Sequence, residues 1–491
     1  MSDPRPARRP APRTARLIPA VEPPTRHPRR SGAGVPHVGE RLTVRFSAVA
    51  TDGSALARVG TALLSVPFGV PGEDAVVEVI RGGRRAQGRL VALLRKSPDV
   101  VQPRCSHFGR CGGCQWQHLT LDAQRRLKTG LVKDYLRDRA DVRRDLVRDV
   151  LGGGDAWAYR NVVRAVFDDR DGTPVVGYHT GGGGRVLDIA ECPVQHAGNE
   201  AVLRAARHAA RSLRLPVYDP ATGQGLVRGV VGLVSFATGE VLLTLSTGAP
   251  LVSPTDVVHA LIDRVPGLVG ILHTIQPRPS PELLGPRLRL LWGRDTVEEE
   301  VGGLRVRLRP TTALPANPRA MAVLMDVVRR AAAIGPGEIV ADLSAATPLL
   351  VLALAPDAES AIGVAPTRRV MEDAREAARW NGATNAVFYS KHPLAELERL
   401  VARGRRPSVT VLTSEGPGLS ADVVHAVAAA APRRVIVVAR SLAACAHDVS
   451  RWRQAGYHVE EVQPLDLLPQ TSHVHLVISL RPTVRARPPA V

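Results

Sequence analysis

Lysine is almost missing from this chain of 491 residues: Lys96, Lys128, Lys133 and Lys391 are all there is. The formal net charge is nevertheless +19, so arginine carries it. Arginine's planar fork is always charged and matches phosphate oxygens. A polyanion, most commonly nucleic acid, is therefore the expected partner. Composition alone leaves open a coding bias toward Arg and Ala. Also missing is any apolar run near the roughly 20 residues that a membrane span needs. The first residues are charged and proline-rich, without the apolar segment of a secretory signal. These absences predict a cytoplasmic protein with no membrane partner. Cysteine is scarce too: there are five, four of them before position 193. That is no disulfide framework for a chain of this length. In a reducing compartment such a cluster more often holds a metal or cofactor.

The length predicts several domains. Residues 1–36 are Pro, Arg and Ala with little that could form a core, and read as a disordered basic arm. From 37 to 97 the segments 41–48, 62–66 and 75–80 are strand-like, separated by turn signals at Asp52-Gly53, Pro71-Gly72 and Gly82-Gly83. Several short strands in so few residues predict a small barrel. Arg81, Arg84, Arg85 and Arg89 make one hairpin of it basic, which beside a barrel favours RNA contact. Residues 98–330 mix strand and helix, with a helix over 124–137, strands over 162–167 and 241–246, and a loop at 181–184. From 331 to 491 strands at 339–343, 360–364, 408–412, 434–438 and 473–480 alternate with helices such as 367–380 and 421–431. That alternation predicts a doubly wound α/β sheet.

Cys105, Cys111 and Cys114 have the spacing C-x5-C-x2-C, and Gly112 and Gly113 let the loop curl its thiolates toward one centre. Cys192, in Glu191-Cys192-Pro193, is the available fourth ligand. Four thiolates suit zinc or an iron–sulfur cluster, and spacing does not separate the two.

The whole motif, C-x5-C-G-G-C-x-x-Q-H followed by a distant E-C-P, resembles the [4Fe–4S] site of the bacterial RNA uracil-5 methyltransferases. Tyr159-Arg160-Asn161, Gly177-Tyr178-His179, Gln124 and Lys128 resemble that family's central pattern. Val38-Gly39-Glu40, Ala57-Arg58, Val66-Pro67 and Pro71-Gly72-Glu73 resemble its TRAM domain, an OB-like RNA-binding barrel. The likeness spans about residues 37–481. It implies a multidomain α/β protein: an N-terminal TRAM β-barrel, a central α+β iron–sulfur domain and a C-terminal Rossmann-like class I methyltransferase domain. It implies a [4Fe–4S] cluster on Cys105, Cys111, Cys114 and Cys192, S-adenosyl-L-methionine as methyl donor, and structured RNA, rRNA or tRNA, as partner of a monomer.

The resemblance also implies a reaction. A cysteine thiolate adds to C6 of a flipped-out uracil, C5 takes the methyl group, and a glutamate removes the C5 proton. Followed residue by residue, this chain departs from it. Arg440 stands at the nucleophile's position, ahead of Ala446-His447-Asp448, and arginine is never deprotonated in proteins. His475 stands at the base's position, at the end of Thr471-Ser472-His473-Val474-His475. The cofactor loop, D-L-x-x-G-x-G in the family, reads Asp342-Leu343-Ser344-Ala345-Ala346-Thr347-Pro348, so only Asp342 remains. Ala365 replaces the carboxylate expected for the ribose. Ala313-Leu314-Pro315-Ala316-Asn317 lacks the glutamine of F-x-Q-V-N/H, and Thr413-Ser414-Glu415-Gly416 lacks the Asp and Arg of D-P-P-R. Cys445, about 7 Å along a helix from Arg440, is too far to substitute and reads as a core residue. The expectation is an RNA-binding protein with an impaired catalytic site. An active methyltransferase with a rebuilt site and an iron–sulfur redox sensor with RNA binding as output are the alternatives.

Overall fold

A computed structural model describes residues 29–30, 34–312 and 316–483, and divides into two compact units. The first runs to Ala123 and includes Thr180–Gly183 and Gln470–Ser472; the second holds the rest. Most of the arm expected over 1–36 lies outside the described residues, as does Ala313-Leu314-Pro315.

In the first unit, β1 (Arg29–Arg30), β2 (Arg41–Arg45), β3 (Ala48–Val49), β4 (Ala55–Val59), β5 (Ala62–Val66), β6 (Asp74–Arg81) and β7 (Arg85–Arg95) form one sheet in the order β1-β2-β6-β7-β5-β4-β3. Alternation sets its inner face: Ala55, Ala57 and Val59 on β4 and Leu64 and Val66 on β5 are buried while their neighbours face out. Leu42 and Val44 from one end of the sheet share a single apolar core with Ala55 and Ala57 from the other. The sheet therefore curls on itself. Register shifts between β6 and β7 at Asp74/Ala75, Val76/Val77 and Val79/Arg81 supply the bend.

Helix α1 (Leu121–Ala140) leads into the second unit, followed by β8 (Leu151–Gly152). A seven-stranded sheet comes next, built from β9 (Val162–Arg170), β10 (Thr173–His179), β11 (Val186–Asp188), β12 (Val227–Val234), β13 (Val241–Thr247), β14 (Leu268–Ile275) and β15 (Leu288–Gly293). Helices α2 (Ala197–Ser212) and α3 (Pro254–Ile262) share its core, and every residue of β12 and β13 is buried. A hairpin, β16 (Val297–Val301) and β17 (Leu304–Leu308), precedes α4 (Pro318–Ala332).

The last sheet alternates as the sequence predicts: β18 (Ile339–Asp342), α5 (Leu349–Leu354), β19 (Ser360–Val364), α6 (Arg368–Trp380), β20 (Ala386–Tyr389), α7 (Pro393–Ala402), β21 (Val409–Ser414), α8 (Ala421–Ala429), β22 (Arg434–Ala439) and α9 (Leu442–Gln454), then β23 (Tyr457–Asp466) and β24 (His475–Pro482). Strand order is β20-β19-β18-β21-β22-β24-β23-β8, with β24 antiparallel to β22. The direction of winding reverses between β18 and β21, which leaves a crevice at the carboxyl ends of the strands. Leu233, Leu242 and Leu272 of the preceding sheet belong to the same core as Val340, Val409 and Ile436. The second unit thus takes in most of residues 124–469, and the boundary with the first follows Ala123.

Candidate functional site

The crevice at the switch point is lined by Met321, Leu324, Asp342, Ser344, Glu415, Arg440 and His475, among others, around a cavity of about 70 Å³. Ligand pockets typically run to roughly 300–1,000 Å³. Its floor is closed by side chains. Asp342 Oδ1 accepts from the Ser344 amide at 2.9 Å and from its hydroxyl at 3.2 Å. The Thr413 amide donates to Ser344 Oγ at 2.6 Å, tying β18 to the end of β21. Burial, opposed by the Ser344 bonds, raises the Asp342 carboxyl to about 6. Ala365 is buried and its amide is taken by Tyr389 O. Where the resemblance implies a ribose carboxylate and two glycines, the chain has Ala365, Ala346 and Pro348.

Arg440 follows β22 directly. Its Nη1 donates to Glu415 Oε1 at 2.5 Å, across the adjacent ends of β22 and β21. Glu415 was legible only as a departure from D-P-P-R, and its pairing with Arg440 is new information from the fold. His475 opens β24 and is buried, and neither ring nitrogen finds a hydrogen-bond partner among the described residues. Burial first, then the charges of Arg440, His473 and Lys128, press its pKa down to about 3. It is therefore neutral at pH 7 and a weak base. Cys445 is fully buried in α9, and burial, with Asp448 adding, pushes its thiol far up. It is a core side chain, as expected from its place in the helix.

Beneath these residues lies a satisfied polar frame. Lys128 Nζ donates to Asp466 Oδ1 at 2.6 Å, both groups buried. Burial pulls the Lys128 ammonium down and Asp466 opposes it. Asn317 caps α4 by accepting from the Ala320 amide at 3.1 Å, and its Nδ2 donates to Leu467 O at 3.1 Å. The Tyr159 hydroxyl donates to Pro469 O at 2.9 Å. Asp448 accepts from the Leu419 amide at 2.7 Å and from the Ser414 hydroxyl, fixing the loop after β21. Burial, with the charges of Arg160 and Arg440 adding and Glu282 opposing, holds the Arg164 guanidinium below its usual range.

In the first unit, Cys111 forms an isolated bridge with Thr180, and the Gly113 amide lies 3.4 Å from Cys111 Sγ. Burial raises the Cys105 thiol, and Cys111 lies near enough to add to the effect. Cys192, in the second unit, is partly buried like the other three, and its amide donates to Glu200 at 2.7 Å. The donors suit a metal cluster, but among the described residues no three Cys, His, Asp or Glu side chains form a group able to hold a metal ion. Arg81 ends β6 and Arg84, Arg85 and Arg89 lie on the turn and on β7, all exposed. Arg89 pairs with Glu78 at 2.8 Å.

No protein-family model matches the chain. An uncharacterized RNA methyltransferase of Gloeobacter violaceus is 30% identical over 448 residues, which cover 90% of this chain and 96% of the relative. The chain belongs to this RNA methyltransferase family. A second member, from Halalkalibacterium halodurans, is 28% identical over 431 residues, covering 87% of this chain and 94% of its own. Among solved structures, the Pyrococcus abyssi tRNA (uracil-54, C5)-methyltransferase in complex with S-adenosyl-L-homocysteine has a TM-score of 0.69. It is 20% identical and covers 89% of this chain and 99% of its own, so the two share a fold. Among the described residues no helix is long and apolar enough to cross a membrane.

Proposed function

We propose that this family member binds structured RNA, rRNA or tRNA, and has given up methyl transfer to uracil C5. The observation that carries the reading is the Arg440–Glu415 ion pair at the strand ends, where the resemblance calls for a thiolate. A guanidinium cannot add to C6, and the base position offers His475, buried and held neutral. The neighbouring fold was solved with S-adenosyl-L-homocysteine. Here the corresponding crevice offers a serine-locked floor, no ribose carboxylate and about 70 Å³ of space. On this reading the residues present do not fit the cofactor.

RNA binding is supported by the net charge and by the exposed arginines on a curled sheet that resembles a TRAM barrel. On this reading the protein is a cytoplasmic monomer. A [4Fe–4S] cluster on Cys105, Cys111, Cys114 and Cys192 is what the family resemblance of the cysteine motif implies, since spacing alone suits zinc equally. Anaerobic purification tests it: brown protein with iron and sulfide is expected, and colourless protein with one zinc per chain refutes it.

The deciding experiment is incubation with radiolabelled S-adenosyl-L-methionine and total RNA, followed by nucleoside mass spectrometry. No 5-methyluridine above background is expected. Methyl transfer that survives Cys445→Ala would establish a rebuilt active site instead.

A further inference from the structure

The largest cavity described is not at the switch point. It is a groove of about 760 Å³ in the first unit, between the β6–β7 hairpin and the segment that follows it. Its walls are apolar: Pro67, Ile80, Leu90, Leu93, Val100 and Val101. Gly88 sits in its lining without a side chain, already close enough that a Cβ would lie 3.2 Å from Val66. At one end Phe68, Phe108 and His118 form a cluster, with ring centroids 5.3 Å, 5.5 Å and 6.1 Å apart.

Three features of this groove are unusual for a surface that does nothing. Phe68 has φ +65°, a left-handed backbone that a bulky residue rarely adopts and that tends to mark binding sites. His118 is 3% exposed and lines the groove beside the Phe68 backbone, and no other described group serves its ring nitrogens. Ile80 is 53% exposed and Val101 39%, two large apolar side chains left at the mouth.

The edge of the groove is cationic. Arg89 and Lys96 line it, and Arg81, Arg84 and Arg85 stand on the same hairpin. Among the residues lining it, Glu73 is the acidic one; it is buried and accepts from the Val70 and Ser97 amides at 3.0 and 3.2 Å. An apolar slot with an aromatic end, a buried imidazole in its wall and exposed cations along one side matches one ligand chemistry. That ligand is an unstacked nucleobase with its phosphodiester backbone.

We infer that this groove takes a flipped-out or single-stranded RNA base, stacked at the Phe68 end, with the adjoining phosphates on Arg89, Lys96 and the hairpin arginines. The inference rests on the RNA-binding reading above and assigns that reading a base-sized site away from the crevice. His118 offers one nitrogen as donor or acceptor toward the base edge.

The test uses the full-length protein and a fluorescent single-stranded oligoribonucleotide of mixed sequence, about 12 nucleotides long, within the site size of one OB-like barrel. Phe68→Ala should weaken binding about tenfold and leave the salt dependence of affinity unchanged, because a stacking contact is lost and no counterion is involved. Arg89→Ala should instead lower the slope of log K against log salt by about 1. Ile80→Glu, at an exposed position that folding does not need, should weaken binding by placing an anion at the mouth. A 4-thiouridine-bearing version should crosslink to the peptide containing Phe68 or His118. If Phe68→Ala and Ile80→Glu both bind like the parent while Arg81→Ala/Arg84→Ala/Arg85→Ala loses binding, the groove assignment is wrong and the RNA reading stands. If the parent protein binds no RNA, both fail.

Discussion

Two layers of the second unit sit close together and differ in kind. In the buried layer, Lys128 pairs with Asp466, Asn317 caps α4 and reaches Leu467, and Asp448 holds the loop after β21. Each of these polar groups meets a partner suited to it. At the strand ends the side chains are Ser344, Glu415, Arg440 and His475, and Arg440 and Glu415 pair with each other across the ends of β22 and β21. The buried layer includes Lys128 and Asn317, which match the family resemblance, and on the proposed reading the crevice face is where the chain departs from it. Asp342 lies on the border, since it faces the crevice yet anchors Ser344.

That contrast makes the buried layer the place where substitutions hurt most. Lys128→Met should cost about 3–5 kcal/mol in denaturant unfolding, because it strands the buried Asp466 carboxylate. Lys128→Met with Asp466→Leu should recover most of the loss, as an apolar pair replaces a buried ionic one. A single substitution that leaves the unfolding midpoint unchanged would put Lys128 in the same class as the crevice face.

Asp342 sharpens the border. Its folded pKa is raised to about 6 from 3.8, chiefly by burial. A raised folded pKa contributes stability that is fully present below the unfolded value and is lost as pH rises through the folded one. The window is therefore about pH 4 to 6. A shift of this size corresponds to about 3 kcal/mol. Asp342→Asn keeps the acceptor for Ser344 and removes the charge. The difference between parent and variant stability should therefore grow in the variant's favour across that window and be flat above it. A difference independent of pH would mean that Asp342 is solvated and the floor of the crevice is open.

Much of this contrast could be read before the fold was known. The strand at 360–364 coincides with β19, the helix expected at 367–380 is α6 with Thr367 as its cap, and the basic hairpin lies where the turn signals put it. These follow from periodicity and turn chemistry, which are local. Other features are not local. Glu415 and Arg440 are 25 residues apart and meet only because β21 and β22 are parallel neighbours in register. The left-handed backbone of Phe68 has no signal in a residue type that avoids it. The break between units at Ala123 depends on Leu233, Leu242 and Leu272 joining the core of the last sheet, and an apolar residue does not announce which core it will join. The three clustered cysteines were the most specific motif in the sequence, but spacing sets only which thiols can converge; among the described residues they form no group able to hold a metal ion.

The smallest expected effect belongs to Arg440. Its ion pair with Glu415 is about half exposed on both sides, and pairs of that kind are worth about 0–1 kcal/mol. Arg440→Ala should therefore leave the unfolding midpoint nearly unchanged, in contrast to Lys128→Met. If Arg440 serves a phosphate rather than the fold, the same variant should weaken RNA binding and reduce its salt dependence by about one ion. Arg440→Cys restores the thiol that the resemblance calls for, but Ser344 still closes the crevice floor and Ala365 still offers no carboxylate. It should gain no methyl transfer to RNA in a radiolabel assay. Activity in Arg440→Cys would show that the cofactor site had been intact all along and that the nucleophile was the one part lost. A large loss of stability in Arg440→Ala would show that the crevice face belongs to the structural frame after all.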